Sequence, residues 1–294
     1  MPNASTLIRE AAAACRASPY LQTRVNRQAE VEELLECAVG RPIVSDELVE
    51  GAVLARFRRL MARRVAGEPL EYLTGQATVR DMTLQVGRGA FIPRNSSGFL
   101  ADVAIERANE RSTPIVVDVC TGVGPVALLC AAGSPNAMVY GLDISATALT
   151  FARRNARSLG MTNVRFLRGD LFDPLPSKVR RRVDVVSAHP PYVARGEMRH
   201  VRHELRAEPN EAITDSSRTG LALAGRIVRE SPAWLVPGGW LLVEVVDFRA
   251  REVAALFRRA GFRGVRHLRA QGDVDRVIAG RMPENLTHSS RLNR

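Results

Sequence analysis

The sequence has little lysine, cysteine or aromatic residue, and it has no long hydrophobic run. Its four cysteines are Cys15, Cys37, Cys120 and Cys130. They are too few and too scattered for a disulfide framework or a paired Cys-x-x-Cys metal site, so we predict no metal and a reduced, cytoplasmic protein. No stretch reaches the ~18 uninterrupted apolar residues of a membrane helix. Arg9 and Glu10 interrupt the apolar patch near the N-terminus before the core of a signal peptide can form.

The formal net charge of +11 comes almost entirely from arginine, because Lys178 is the one lysine among 42 basic residues. A surface selected for phosphate binding has no reason to avoid lysine. The skew is therefore typical of codon bias, and we predict no nucleic-acid partner. Aromatic residues, at 5%, offer few stacking platforms for single strands. Arginine runs such as 180–182 are expected to be exposed to solvent. The alternative is that they form a binding surface for RNA or for a ribosome-associated partner.

The apolar periodicity predicts a helical N-terminal region, then a β-hairpin linker, an α/β domain and a frayed polar tail. The predicted boundaries are 1–72, 73–93, 94–282 and 283–294. In the third segment short apolar runs alternate with helices, which indicates a doubly wound parallel sheet. The predicted strands are 115–119, 138–142, 164–167, 183–187 and 241–246. Two final runs, 262–268 and 274–279, predict an antiparallel hairpin at the edge of the sheet.

Glycines and acidic residues follow the first two predicted strands. The first strand runs into the sequence DVCTGVG at 118–124, where Gly122 and Gly124 allow a tight turn and a close approach of a ligand to the backbone. The second strand ends at Asp143, 19 residues after Gly124, where a carboxylate can accept both hydroxyl protons of a ribose. We therefore predict a nucleoside site. The alternative is a tight turn in which Asp143 caps the helix that begins at Ser145.

Two further acidic residues favour S-adenosylmethionine over a dinucleotide, although 122–127 also fits the dinucleotide pattern G-x-G-x-x-A. Asp118 lies where a carboxylate can reach the methionine amino group, and it would repel a pyrophosphate. Asp170, after the third strand, can receive the adenine amino group. The fourth strand ends in the sequence AHPPY at the same edge of the sheet. The predicted cofactor residues are Asp118, Thr121, Gly122, Gly124, Asp143, Ile144, Asp170, Leu171 and His189.

Short stretches along nearly the whole chain resemble the HemK/PrmC family of S-adenosylmethionine-dependent N5-glutamine methyltransferases. They are EPLEYLTGQ, LQVGRGAFIPR, DVCTGVGPVAL, GLDIS, GDLF, AHPPYV, AEPNEAI and DVDRVIAGR. The resemblance implies an α/β fold, with a Rossmann-like class I methyltransferase sheet, an N-terminal helical domain and a β-hairpin linker. It also implies S-adenosylmethionine as the cofactor. The x-Pro-Pro-Tyr loop is its most selective motif and is typical of enzymes that methylate nitrogen on planar groups.

The chain departs from the family on the acceptor side in two places. In the family an Asn side chain and the next proline carbonyl accept hydrogen bonds from the acceptor nitrogen, and the Tyr ring packs over the acceptor plane. Here His189 replaces the Asn. A neutral His offers one donor and one acceptor and can take a proton, which suits an acceptor that must lose one, such as a guanidinium. The alternative is that His189 only preserves the loop shape. The second departure is the sequence PRNSSG at 93–98, which lacks the two acidic residues and the Thr of the family's run.

Both departures predict a changed acceptor. We expect methyl transfer to the amide or guanidino nitrogen of a small amino-acid-like molecule such as arginine. The alternatives are the family reaction on the glutamine of a release factor, a non-catalytic nucleoside-binding protein and, more remotely, an NAD dehydrogenase.

The predicted acceptor site combines the loop with nearby carboxylates. The predicted catalytic residues are His189, Pro190 and Tyr192, and the predicted substrate residues are Pro93, Arg94, Pro191, Tyr192, Glu208 and Glu244. Glu197, Glu204 and Glu211 are further carboxylates that a guanidinium would favour. His200 and His203 are expected to face solvent rather than to bind a metal.

Overall fold

The computed structural model describes residues 2–21, 26–270 and 275–284, and these residues form two compact units. The first, the helical unit, contains the described residues up to Ala77 together with Val86–Ile92 and Arg199–Asn210. The second, the sheet unit, contains Thr78–Gln85, Pro93–Met198 and the described residues from Glu211 onward. The segment Arg199–Asn210 lies inside the predicted 94–282 region of the sequence, yet it packs with the helical unit.

The helical unit is built from α1 (Ala4–Ala17), α2 (Arg27–Val39), α3 (Gly51–Val65) and α4 (Leu70–Thr74). Asparagine side chains cap α1 and α2, because Asn3 accepts a hydrogen bond from the backbone N–H of Thr6 and Asn26 from those of Gln28 and Ala29. The apolar faces of the helices meet in one core. Its largest members include Leu34, Leu35, Phe57 and Leu60.

A buried ionic cluster connects Arg199–Asn210 to the helices of the helical unit. The Arg64 side chain is 2% exposed, with Nη1 2.8 Å from Glu204 Oε1 and Nη2 3.2 Å from Glu30 Oε1. Arg27 Nη1 lies 2.7 Å from Glu30 Oε2. Burial of a lone guanidinium is strongly unfavourable, so the two carboxylates are needed for Arg64 to occupy this position.

The seven-stranded sheet of the sheet unit has the order β5-β4-β3-β6-β7-β9-β8. A two-stranded hairpin elsewhere in the chain pairs β1 with β2. The strands are β1 (Gln76–Val79), β2 (Met82–Gln85), β3 (Ile115–Val119), β4 (Met138–Asp143), β5 (Val164–Arg168), β6 (Val183–Ala188), β7 (Leu235–Val246), β8 (Arg263–Leu268) and β9 (Asp275–Arg281). The helices are α5 (Ser96–Ala108), α6 (Pro125–Gly133), α7 (Ala146–Ser158), α8 (Asn210–Ile213), α9 (Ala222–Glu230) and α10 (Asp247–Arg259).

Strands β3 to β7 are mutually parallel, whereas β9 is antiparallel to both β7 and β8. The predicted α/β sheet and its antiparallel edge hairpin are therefore confirmed. Parallel pairing places the carboxyl ends of β3, β4, β5, β6 and β7 along one edge, which is where ligands bind in open α/β sheets.

Two predictions extend beyond the residues described. Residue 274 of the predicted hairpin and residues 285–294 of the predicted tail lie outside the described ranges. Among the helices of the described chain, none combines the length and the apolar character that crossing a membrane requires.

Candidate active site

Asp118 provides a buried carboxylate at the carboxyl end of β3. The residue is 2% exposed. Its Oδ1 accepts a hydrogen bond from Ser187 Oγ at 2.8 Å, and its Oδ2 accepts one from Thr121 Oγ1 at 2.6 Å. Desolvation raises the pKa of Asp118 to about 7, although the two hydroxyl donors oppose the shift. Burial disfavours the ionised form of Asp118, and a cationic partner would stabilise that form. The site therefore suits the ammonium group of an amino acid.

Asp143 organises the turn that follows β3. Its Oδ2 accepts from the backbone N–H of Gly122 at 2.8 Å, and its Oδ1 accepts from that of Ser145 at 2.8 Å. Burial raises the pKa of Asp143, and these backbone donors partly offset the effect. Ser145 itself caps α7 by accepting from Ala148 N. Because each carboxylate oxygen has two lone pairs, Asp143 can support this turn and still accept ribose hydroxyls.

The two predicted glycines are required for different reasons. Gly122 has φ +59° and nothing within 4 Å of the position that a Cβ would take, so it leaves open space beside the backbone. Gly124 has φ +91°, and a Cβ there would lie 2.9 Å from the ring of Phe166. At Gly122 a ligand can therefore approach the backbone, and at Gly124 the turn packs tightly against the protein interior. A nucleoside site needs both properties.

Asp170, the predicted adenine acceptor, has an internal partner. Arg226 Nη1 on α9 lies 3.1 Å from Asp170 Oδ1 and 2.9 Å from Oδ2. The aspartate is about half exposed, and its carboxylate retains lone pairs for a further donor. The exposed side chain of Ile144 follows β4 at this edge, whereas the side chain of Leu171 is buried in the core of the sheet unit. Their assignment to the cofactor stays a prediction.

Cys120 is a residue of this site that the sequence analysis missed. It has φ +59°, a left-handed conformation that favours glycine. Desolvation raises the pKa of its thiol well above the ordinary value, and the charges of Asp143, Asp118 and Asp170 raise it further. Cys120 therefore lies among the three predicted cofactor carboxylates. Its position directly between β3 and the glycines is the signal that could have identified it.

We expect replacement of Cys120 by glycine to change the free energy of unfolding by less than about 1 kcal/mol. Relief of the left-handed conformation gains roughly 1–2 kcal/mol, and this gain is offset by the greater entropy of glycine in the unfolded chain and by the contacts that the partly buried thiol loses. Urea unfolding at 25 °C measures the change. The matched variant is Cys130→Gly in the middle of α6, which should be destabilising; equal losses in the two variants would refute the argument.

The acceptor loop, defined as residues 189–192, brings three predicted residues together. Ala188 pairs in register with Val243, so the residues that follow them, His189 and Glu244, become neighbours. His189 Nδ1 lies 3.7 Å from Glu244 Oε2, with side chains 14% and 1% exposed. The ring of Tyr192 is stacked on that of His189, with centroids 5.9 Å apart and planes 20° apart.

The backbone behind Tyr192 packs against a glycine. A Cβ on Gly220, which has φ +69°, would overlap the carbonyl oxygen of Tyr192 and lie 2.9 Å from its carbonyl carbon. It would also lie 3.0 Å from the backbone nitrogen of Ala194. Gly220 thus sets the position of the chain from the end of the acceptor loop onward.

The remaining predicted substrate residues have varied surroundings. In the acceptor loop Pro190 is buried and Pro191 is partly exposed, as are Pro93 and Arg94 before α5. Glu208 belongs to the helical unit, where its buried carboxylate accepts a hydrogen bond from Ile92 N at 2.9 Å. The substrate roles of these residues stay predictions.

Two of the carboxylates predicted to attract a guanidinium are already bound by arginines of the chain. Arg249 Nη2 lies 2.6 Å from Glu197 Oε1. Arg64 forms an ion pair with Glu204, as described above. Glu211 is exposed. These contacts remove part of the reason for expecting arginine as the acceptor.

The predicted solvent-facing histidines are both exposed. His200 accepts a hydrogen bond from Arg199 Nε at 2.9 Å, and His203 packs on the ring of Tyr20 at 4.6 Å. Across the part of the chain that the structure describes, no group of three or more His, Cys, Asp or Glu side chains could hold a metal ion.

Comparison with known proteins identifies the family. The family model for the PrmC N-terminal domain matches residues 12–75, and that for a methyltransferase domain matches residues 110–247. A release factor glutamine methyltransferase of Bordetella pertussis is 38% identical over 79% of this chain and 84% of its own length. The chain belongs to the HemK/PrmC family of methyltransferases. HemK/PrmC relatives from Burkholderia pseudomallei and Geobacter sulfurreducens are 35% and 32% identical, over 81% and 87% of this chain and 85% and 90% of their own lengths.

Solved structures share the fold of this HemK/PrmC protein. A methyltransferase from Pyrococcus furiosus superposes with a TM-score of 0.53 at 15% identity, covering 70% of this chain and 91% of that one. The T. thermophilus 16S rRNA N2 G1207 methyltransferase gives a TM-score of 0.51 at 16% identity, covering 70% and 49%. The predicted family, the Rossmann-like fold, the methyltransferase activity and S-adenosylmethionine as cofactor are confirmed. The carboxylates and open glycine turn described above fit that cofactor.

Proposed function

We propose that this methyltransferase transfers a methyl group to the side-chain amide nitrogen of a glutamine in a peptide-chain release factor, in the cytoplasm. The observation that carries the proposal is the agreement among the relatives. The three described above are all named release factor glutamine methyltransferases, and each aligns with 79% or more of this chain. The arginine-like small molecule favoured from the sequence finds no support among them, and the release-factor alternative replaces it.

The charges around the acceptor loop also favour a neutral acceptor over a cation. A guanidinium substrate needs an available carboxylate, but Glu197 is engaged by Arg249. Glu244, the buried carboxylate beside the loop, faces His189. A side-chain amide carries no charge and needs only hydrogen-bond partners and correct orientation.

His189 can take over one task of the family's Asn. The carboxylate of Glu244 near Nδ1 favours the tautomer that carries its proton there, which leaves the lone pair of Nε2 for an N–H of the amide. The carbonyl of Pro190 is the second acceptor in this proposal, and the Tyr192 ring covers the plane of the amide. Bound S-adenosylmethionine supplies an electrophilic methyl group on a sulfonium. Methylation replaces one N–H of the amide by N–CH₃, and the released proton passes to water, so in this proposal His189 acts as a hydrogen-bond acceptor and not as a base.

The proposal is tested with S-adenosylmethionine that carries an isotopic methyl group. A bacterial release factor is offered in one reaction, its variant with the target glutamine replaced by alanine in a second, and free arginine and glutamine in a third. We expect label on the intact release factor alone. Label on free arginine would overturn the proposal. Binding of the cofactor by calorimetry without transfer to any acceptor would instead identify a non-catalytic binding protein.

Replacement of His189 by asparagine should leave the rate of release-factor methylation within about fivefold of wild type. Asn restores an acceptor for the amide N–H, whereas His189→Ala removes it and should lower kcat about thirtyfold, the equivalent of ~2 kcal/mol. Steady-state kinetics with saturating cofactor measure both variants. Equal activity of the alanine variant and wild type would show that His189 does not contact the acceptor.

A further inference from the structure

The chain that follows the acceptor loop is held by two charged side chains that no sequence motif identifies. We propose that Arg249, acting through Glu197, is a positioning residue that fixes the acceptor loop during methyl transfer. The inference rests on the proposed function for its kinetic readout, but the contact itself can be tested without any acceptor.

Glu197 closes a short turn immediately after the loop. Its Oε2 accepts a hydrogen bond from the backbone N–H of Ala194 at 2.9 Å, and its own backbone N–H donates to the carbonyl of Ala194 at 2.9 Å. Ala194 is buried and lies two residues after Tyr192. Any movement of the Glu197 carboxylate is therefore transmitted over a short distance to the ring that covers the acceptor.

Arg249 holds the other oxygen of the same carboxylate. Its Nη2 lies 2.6 Å from Glu197 Oε1, and its side chain is only 12% exposed. The guanidinium also packs over the ring of Phe248 at 5.0 Å and lies 3.7 Å from Glu252. The Arg249 guanidinium is mostly buried and depends on its counter-charge, whereas the Glu197 side chain that supplies this charge is 43% exposed.

Both ends of the acceptor loop are thereby attached to one rigid junction. Strand β7 passes directly into α10, and the junction carries Glu244 on one side and Arg249 five residues later. His189, at the start of the loop, faces Glu244, and Glu197, beyond its end, binds Arg249. In-line transfer needs the acceptor nitrogen within a fraction of an ångström of its productive position, and anchoring a loop at both ends supplies that restraint.

The experiment compares Arg249→Met, Arg249→Lys, Glu197→Gln and the double variant Arg249→Met/Glu197→Gln. The control is Arg251→Met, which removes an exposed arginine from the same helix. We expect Arg249→Met to lower kcat for release-factor methylation about tenfold to thirtyfold, while KM for S-adenosylmethionine stays within twofold. Lysine should restore most of the rate. The double variant should be no slower than Arg249→Met, because the two residues act through one contact.

Hydrogen exchange by mass spectrometry provides a readout that needs no acceptor. The backbone N–H groups of residues 192–197 should exchange faster in Arg249→Met than in wild type or Arg251→Met, because the N–H of Ala194 loses its fixed partner. If Arg249→Met does not fold, Glu197→Gln keeps an acceptor for Ala194 and should show the same changes in weaker form. Unchanged exchange and unchanged kcat would overturn the inference. Faster exchange in Arg249→Met with an unchanged kcat would also overturn the inference. If the wild-type protein itself methylates no release factor, only the proposed function is refuted.

Discussion

Gly220→Ala is expected to lower kcat at least 100-fold without preventing the binding of S-adenosylmethionine. The added Cβ would overlap the carbonyl oxygen of Tyr192 and lie 2.9 Å from its carbonyl carbon, and both are backbone atoms that cannot turn away. The left-handed φ of +69° adds strain that only glycine avoids. The acceptor loop must therefore move by roughly an ångström, and misplacement of that size can reduce a rate on the order of 100-fold.

The matched control is Gly196→Ala, in the turn that Glu197 closes. A Cβ on Gly196 would meet nothing within 4 Å, so this variant should retain kcat within about twofold. Single-turnover kinetics with saturating cofactor measure the methyl-transfer step, and calorimetry with S-adenosylmethionine checks that the cofactor site is intact. Wild-type turnover by Gly220→Ala would show that the position of Tyr192 does not limit the reaction.

Asp118→Asn should weaken the binding of S-adenosylmethionine at least ~30-fold and, at the same time, stabilise the free protein at pH 8. The amide cannot neutralise the ammonium group of the cofactor, and loss of one partner from a buried charged pair costs about 2–5 kcal/mol of binding free energy. Without cofactor, the variant is more stable than the wild type at pH 8 because burial raises the pKa of Asp118 from 3.8 to about 7. An ionised Asp118 is therefore unfavourable in the folded state.

The sign of this pH dependence follows from proton linkage. Between pH 4 and 7 the folded state holds a proton on Asp118 that the unfolded state has lost, so the wild type loses stability as the pH rises through this range. The advantage of Asp118→Asn should be absent near pH 3, grow up to pH 7 and then level off. Wild-type affinity for the cofactor should fall below pH 7, because a proton competes with the ammonium group.

Urea unfolding at pH 3, 5 and 8 and calorimetry at pH 6 and 8 measure these effects. Asp173→Asn, which removes an exposed carboxylate from the loop after β5, is the control and should change neither quantity. Cofactor binding by Asp118→Asn within tenfold of wild type would show that the ammonium group binds elsewhere.

The sequence was informative where burial produces a regular pattern. The observed bounds of strand β3 agree with the predicted ones, because a strand buried on both faces is an almost continuous apolar run, which Asp118 alone interrupts here. Strand β7 was predicted from 241 but begins at Leu235. The intervening Pro237-Gly238-Gly239 is typical of a turn, yet Leu235 pairs with Val183 across a shift in register that the parallel ladder tolerates.

The candidate site was predictable only along the strand ends. Parallel strands align their carboxyl ends, so Asp118, Asp143 and Asp170 could be assigned to one edge from the strand pattern alone. The partners of these residues could not be assigned in this way. Ser187 is far from Asp118 in the sequence, and Arg226 is far from Asp170. The local sequence around a charged residue does not indicate which distant residue binds it. For the same reason, the contact between Arg249 and Glu197 could not be predicted from the sequence.

The discontinuity of the helical unit constrains the order in which the chain can fold during its synthesis. Arg64 is made early and Glu204 is made 140 residues later. At about 5–20 residues per second the ribosome needs roughly 7–28 s to bridge that interval. Until then the first three helices have only Glu30 of the two carboxylates that surround Arg64. The N-terminal helices therefore cannot reach their final structure as an early, independent intermediate, and they are completed only after most of the parallel sheet has left the ribosome.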